Sequence, residues 1–458
     1  MMNQMQLETA VLEVQQSEEM NMSAAKDCLK FIDESLTCFH AAKAVAQRLD
    51  HAGYQFVKEQ EAWNLVKGGK YYTMRNGSSV IAFNIGEKIE KPVFQMSASH
   101  SDSPTFKVKP NALIQRGGIV KLNVEAYGGM LMSTWFDRPL SLAGRVMVKT
   151  ETGFKSCLFA KKDCCMIPNV AIHLNRTAND GQKYNVQVDL LPIVALDQKE
   201  FDFNAFLAQE INAEKEMILG FDLVLANGEN GKIWGMNEEF MTSARLDDLE
   251  CAYGTLQGFI EGENPSRINV YCCFDNEEVG SRTRQGADST LLSSVLERIC
   301  DSLGYTNAQL KQGITESFMV SADNAQGLHP NHPEKSDEVN QVRLNEGVVI
   351  KFNAAQSYTS DSLSASVMKL VAEKAGVPLQ MYTNRSDQRG GGTLGNVSNS
   401  HVSVMSVDIG LAQWAMHSCV ETAGAKDVDA LVRLMKTYYS SSLMISDDSI
   451  ELIEVGVK

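Results

Sequence analysis

The chain of 458 residues contains no run of 18 apolar side chains, so no transmembrane helix is expected. Its first residues, Met1-Met2-Asn3-Gln4-Met5-Gln6-Leu7-Glu8, have neither a basic nor an apolar stretch, and no secretory signal is expected. No Cys-x-x-Cys pair occurs among the ten cysteines. The adjacent pairs Cys164-Cys165 and Cys272-Cys273 suit neither a disulfide nor a zinc knuckle. Reduced thiols in a cytoplasmic protein are the expectation. Positive charge is in short supply: Lys plus Arg is 42 against 57 Asp plus Glu, a net charge of −15. That balance argues against a general nucleic-acid or anionic-membrane binder, since both need a basic face. No Gly-x-Ser-x-Gly appears, so no serine hydrolase is read. Gly390-Gly391-Gly392-Thr393 lacks the Gly-Lys-Ser/Thr of a phosphate loop and reads as close-packed backbone near a site. Long repeats and low-complexity segments are absent.

What remains is ordinary globular composition, with 44% hydrophobic and 22% charged residues. The length predicts two or three domains. Residues 1–22 carry little pattern and read as a loose arm or a first helix. Ser23 to Ala52 has helical spacing that Gly53 stops. Strand-like runs follow at Tyr71–Met74, Ser79–Asn84 and Val93–Ala98. From about 107 to 238 the texture is β-rich, with alternating runs such as Val120–Val124 and turn signals at Asn227-Gly228 and Asn230-Gly231. From 243 onward helices and strands alternate, including strands at Ile268–Phe274, Ser317–Ser321, Val348–Phe352 and Val402–Val407, and a last helix over Val428–Met444. The expected fold is α/β, with a mostly parallel central sheet flanked by helices. One domain is built from residues 1–106 and 239–458, and a β-rich domain, 107–238, is inserted.

Five stretches carry residues able to do chemistry. His100-Ser101-Asp102 follows an apolar strand, at the edge where α/β sheets gather their ligands. Asp102 is placed to receive the other imidazole N–H of a metal-bound His100. Glu277-Glu278 follows the wholly apolar Ile268–Phe274. There one carboxylate can hold a metal while its neighbour stays free to take a proton from water. Asp247-Asp248 opens a helix, Asp323 ends another apolar strand, and Met416-His417-Ser418 offers a second histidine. Singly, each could be a solvated loop or a capping charge. Together, two histidines, two terminal acids and one bridging acid suit a pair of zinc-like cations about 3.5–4 Å apart.

The ordered stretches His100-Ser-Asp-Ser-Pro104, Ala171-Ile-His-Leu174, Arg245-Leu-Asp-Asp-Leu249, Asp275-Asn-Glu-Glu-Val-Gly-Ser281, Ser321-Ala-Asp323 with His329-Pro-Asn331, and Ala415-Met-His-Ser418 resemble the aspartyl aminopeptidase family of dinuclear zinc exopeptidases. The resemblance implies His100 and Asp323 as ligands of one metal and Glu278 and His417 of the other. It further implies Asp247 as the bridge, Glu277 as the general base, and Asp102 as the partner of His100. The inserted domain would then serve dimerisation. His173 within it would reach a neighbouring subunit's site and hold the scissile carbonyl. Lys351 and Tyr358 match positions that receive an acidic substrate side chain. Gln326 stands where the eukaryotic members of the family usually carry a substrate-contacting histidine, which leaves the preference for N-terminal Asp or Glu open and the metal chemistry intact. The function implied is removal of an N-terminal residue from peptides with a free N-terminus, by a homo-oligomer of dimers, as a dodecamer. The cofactors are two divalent ions, zinc by resemblance, though Co²⁺ or Mn²⁺ suits the same donors. The competing readings are an aminopeptidase for neutral residues, a carboxypeptidase or deacylase on the same metals, and a non-catalytic assembly protein.

Overall fold

The computed structural model describes residues 21–196, 201–388, 390–446 and 449–454. The arm or helix expected over 1–22 lies outside the described residues as far as residue 20. Residues 21–34 are helical, and a second helix covers Cys38–His51. The helical region expected over Ser23 to Ala52 is thus two helices, parted at 35–37, where the Ser35 hydroxyl donates to the Phe31 carbonyl at 2.7 Å and Thr37 precedes the new helix.

A nine-stranded sheet forms the centre. Its order is Gln55–Phe56, Lys70–Arg75, Ser79–Ile85, Ile268–Phe274, Phe94–His100, Phe318–Ala322, Met405–Gly410, Val348–Phe352 and Leu379–Thr383. The sheet is mixed. Ile268–Phe274, Phe94–His100, Phe318–Ala322 and Met405–Gly410 run parallel to one another. Antiparallel joins flank them at Ser79–Ile85 and at Val348–Phe352.

These strands are almost wholly buried because both faces are covered, and alternate residues serve alternate faces. Val270, Cys272 and Phe274 pack into one core with Leu291–Ser302, while Tyr271 and Cys273 enter the other with Leu246–Glu261 and Asp427–Tyr439. Register then fixes the site. His100 pairs with Phe274, Ser321 with Ala98, and Ala322 with Ile409. His100, the turn after Phe274 and Asp323 therefore emerge together at the carboxyl edge of the parallel strands.

A six-stranded, wholly antiparallel sheet lies beside this layer, in the order Phe154–Cys165, Leu140–Lys149, Ile218–Ala226, Thr105–Arg116, Ile119–Tyr127 and Ile193–Leu196. It has its own apolar cluster, including Phe106, Leu122, Leu142, Leu207 and Leu223, joined by Cys419. A five-stranded sheet links Lys232–Trp234, Phe240–Ser243, Glu421–Gly424, Ala412–Trp414 and Ala325–Gln326. Within it Ser243 pairs with Glu421, which carries the 415–420 turn to the start of the helix bearing Asp247. Among the described residues no helix is long and apolar enough to cross a membrane.

Candidate metal centre and active site

His100 is the last residue of its strand and is almost wholly buried. Its Nε2 stands 3.5 Å from Asp247 Oδ1 and 4.0 Å from Glu277 Oε2. His417 Nε2 lies 3.2 Å from Asp247 Oδ2 and 3.3 Å from Glu278 Oε1. The donor atoms of His100, Asp247 and Asp323 fall within 4.8 Å of one another, as do those of Asp247, Glu278 and His417. Asp247 thus belongs to both groups, one oxygen turned to each imidazole. His100, Glu277 and Glu278 form a third such group.

The backbone that presents these side chains is bent out of ordinary conformations. Arg245, Asn276 and His417 have φ of +61°, +67° and +66°. Left-handed non-glycine residues cost about 1–3 kcal/mol and cluster where side chains must be held in set directions. Gly128, at φ +74°, lets a neighbouring turn come close, since a Cβ there would lie 3.2 Å from the Glu278 Cβ.

Asp102 does more than back His100. Its carbonyl stands 3.0 Å from His100 Nδ1 and its carboxylate 3.4 Å. The same carboxylate accepts from the Glu277 and Glu278 amides at 3.1 and 3.2 Å, and from the Tyr127 hydroxyl at 2.7 Å. It therefore ties the His100 strand to the turn carrying both glutamates, and the Nδ1 contact leaves Nε2 facing the acids.

Two buried acids that the sequence reading did not assign complete the frame. Glu421 accepts from the Asp247 amide at 3.1 Å and the His417 amide at 2.6 Å. Asp248 accepts from the His100 amide at 3.0 Å. Asp248 could have been suspected as the second of two adjacent acids, whereas Glu421 carries no local signal because Asp247 is remote in sequence.

The electrostatics suit cations. Burial pushes Glu277 up to about 7, with Asp323, Asp102 and Asp247 adding to the rise against His100. Burial, and then the Asp247 charge, hold Glu278 well above the ordinary carboxylate range. Burial also raises Asp323, against the pull of Lys351. Asp247 resists its own burial, because contacts with His100 and His417 hold it below the usual range. Asp247 Oδ1 and Glu278 Oε1 are buried without a hydrogen-bond partner. Orphaned carboxylate oxygens facing imidazoles at metal-ligand spacing fit divalent cations. Glu277 is the most open of the acids, its side chain 19% exposed against 4% for Glu278 and Asp247.

The cluster opens into a cavity of 320 Å³ that Gln326, Lys351, Tyr358, Gly391, Gly392 and Thr393 also line. Lys351 is buried; its Nζ donates to the Asp323 and Asn324 carbonyls at 2.7 and 3.3 Å, and lies 5.2 Å from the centre of the Tyr358 ring. His173 does not line this cavity. It lies on an exposed turn between Ile172 and Leu174, not in the half-buried strand its apolar neighbours could suggest. A larger cavity, 570 Å³, lies toward the six-stranded sheet on the far side of Asp102 and is not where the acids converge.

Comparison with known proteins places the chain in a family. The model of the family described as aminopeptidase I zinc metalloprotease (M18) matches residues 31–439. An M18 family aminopeptidase 2 of Clostridium novyi is 43% identical over 429 residues, covering 91% of this chain and 98% of its own. One of Pseudomonas aeruginosa is 39% identical over 422 residues, covering 90% and 97%. Among solved structures, Ape4 in its complex with Nbr1 superposes with a TM-score of 0.89 at 35% identity, covering 92% of this chain and 86% of its own. The S. cerevisiae mApe1 dodecamer superposes with a TM-score of 0.79 at 25% identity, covering 91% and 96%. With a buried His and carboxylate cluster at the sheet edge and relatives matched over nearly their whole length, the chain belongs to the M18 family of zinc metallo-aminopeptidases.

Proposed function

We propose that the enzyme removes N-terminal residues, acidic ones foremost, using two divalent cations shared through Asp247. The observation that carries this reading is the pair of Asp247 oxygens, one 3.5 Å from His100 Nε2 and the other 3.2 Å from His417 Nε2. His100 and Asp323 would hold one ion, and Glu278 and His417 the other. Bound there, zinc, cobalt or manganese would supply Lewis acidity toward the scissile carbonyl and bring the pKa of water toward neutrality.

The chain's own residues do the rest. Glu277, the most open acid and raised by burial to about 7, takes a proton from the attacking water and delivers it to the leaving amine. Asp102 holds the Glu277 amide and so sets where that carboxylate swings. The substrate's free ammonium is drawn to the acidic cluster, which restricts cleavage to the first peptide bond. Tyr358 and Gln326 supply hydrogen bonds to the substrate's first side chain, and the buried Lys351 charge supplies positive potential. One observation favours neutral first residues instead: the Lys351 ammonium already serves two carbonyls and Asp323.

The residues 107–238 form the dimerisation unit in this reading, and 1–106 with 239–458 the catalytic one. The turn carrying His173, with Val170, Ile172 and Leu174 exposed beside it, would enter a second copy's site and grip the carbonyl oxygen. A dodecameric relative supports a homo-oligomer, and ten free cysteines support a reducing, cytoplasmic setting.

The test is Glu277→Gln. Turnover should fall by about 10²–10⁴-fold with bound metal unchanged, and wild-type turnover in that variant would refute the assignment. A panel of Asp-, Glu- and Leu-terminated peptides, with N-blocked controls, decides the preferred first residue.

A further inference from the structure

A second cavity, of 350 Å³, adjoins the metal cavity across a common wall of Gln326, Tyr382 and Met416. The two have opposite character. Asp247, Glu277, Glu278 and Asp323 line the first. Lys335, Arg385, His329 and His332 line the second, and among its described lining residues there is no carboxylate.

Three of these four side chains keep a donor to spare. Lys335 makes no ion pair among the described residues. Arg385 engages Asp387 through Nε at 2.8 Å and the Glu334 carbonyl through one terminal nitrogen, leaving the other. His329 Nδ1 accepts from the Asn331 amide at 3.2 Å, so its Nε2 carries the proton. His332 meets the Glu334 carboxylate through Nδ1 at 3.1 Å, which leaves the Nε2 of the neutral ring an acceptor. The imidazole rings of His329 and His332 stand 5.2 Å apart, centre to centre.

We propose that this second cavity is a subsite for a carboxylate on the leaving part of the peptide, above all the C-terminal carboxylate of a short peptide. The inference rests on the aminopeptidase reading and extends it. A short peptide is a dipole, with an ammonium at one end and a carboxylate at the other. Four carboxylates against two divalent cations leave the metal cavity near neutral, so the cationic cavity does the selecting: it favours the carboxylate and repels the ammonium. Nothing precedes the ammonium, so only the chain beyond the scissile bond is available to cross the wall. At about 3.3–3.6 Å per extended residue, a few residues suffice to pass from one adjoining pocket to the next. The planar guanidinium of Arg385 and the neighbouring N–H groups match the two oxygens of a carboxylate. Short peptides, rather than the ends of folded chains, are therefore the substrates the pair of cavities selects.

The test compares kcat/KM for peptides of two, three and four residues, identical except for a free C-terminal carboxylate or a C-terminal amide. The acid form should win by about 10-fold at one or more lengths, through KM, as one charge-assisted hydrogen bond provides. In Lys335→Gln and Arg385→Gln that ratio should fall toward one, and in Lys335→Glu below it. Because Arg385 also holds Asp387, the Lys335 variants keep the test open should Arg385→Gln fail to fold. Equal cleavage of acid and amide by the wild type at every length, or an undiminished ratio in the variants, overturns the subsite. An amino-acid p-nitroanilide, which has no downstream carboxylate, separates the two layers of the argument. No hydrolysis of anilide or peptide by the zinc-loaded enzyme sinks the aminopeptidase reading itself, whereas hydrolysis without acid preference sinks only the subsite.

Discussion

At the scale of single residues, the supporting acids matter as much as the ligands they steer. Glu421 is 2% exposed, and its two oxygens hold the amides of Asp247 and His417. Glu421→Gln puts an NH2 against one of those amides, so metal affinity should drop by about 10–100-fold, the usual cost of losing an outer partner. Equilibrium dialysis with zinc checks this, and unchanged affinity would remove Glu421 from the frame. A second prediction concerns pH. Burial, followed by the charges of Lys43 and Arg245, lowers His40 to about 4. The unfolded chain takes up that proton near 6.5 and the folded chain resists it, so stability contributed by neutral His40 is present above 6.5 and lost as pH falls toward 4. His40→Gln should flatten the fall in Tm over that window, and an identical pH profile would show that His40 is not a source of it. His100, Asp102, Asp247, Glu277, Glu278, Asp323 and His417 were all legible as candidates, because each sits at a strand end, a helix start or a tight turn in an otherwise apolar context. Glu421 was not, since its function consists of two backbone contacts to remote residues.

At the scale of elements, strands read well and ends read poorly. Ile268–Phe274 was expected and found residue for residue, since a short run that is apolar but for Asn269 and bounded by turn signals has few alternatives. The last helix, expected to reach Met444, stops at Tyr439, and Ser441–Ile445 is a strand. Helical spacing continues through Leu443, but the Asn264 amide takes the Ser441 carbonyl at 2.8 Å and Gln95 takes the Leu443 amide at 3.3 Å. Tertiary partners there outbid the local pattern. The helix Leu246–Glu261 meets Asp427–Tyr439 along Gly254, Gly258 and, just past its end, Gly262. A Cβ on Gly258 would stand 2.5 Å from the Met435 Cβ and 2.8 Å from the Lys436 nitrogen. Gly258→Ala gains about 1 kcal/mol of helix propensity but overpacks by about 1–3 kcal/mol. Urea unfolding should therefore show net destabilisation, together with displacement of the helix start that carries Asp247. A more stable variant would mean the helices have room to part.

At the scale of the whole molecule, the site exists because three sheets meet. Chelation should abolish hydrolysis reversibly and lower Tm, since Asp247, Glu277, Glu278 and Asp323 are left facing one another without cations. A Tm indifferent to chelator would show that the folded state does not hold the metals. Solution mass should be a multiple of the single chain's, and His173→Ala should cost turnover without unfolding; a fully active monomer would exclude the shared-site role. The α/β class, the β-rich texture between 107 and 238 and the identity of the candidate ligands were determined by the sequence alone, because apolar periodicity and turn chemistry are local properties of the chain. The convergence of His100, Asp247, Glu278, Asp323 and His417, the two framing acids and the adjoining cationic cavity were decided only by the tertiary structure. Distances between residues more than a hundred positions apart depend on strand order, register and the crossing of sheets, which no local pattern encodes.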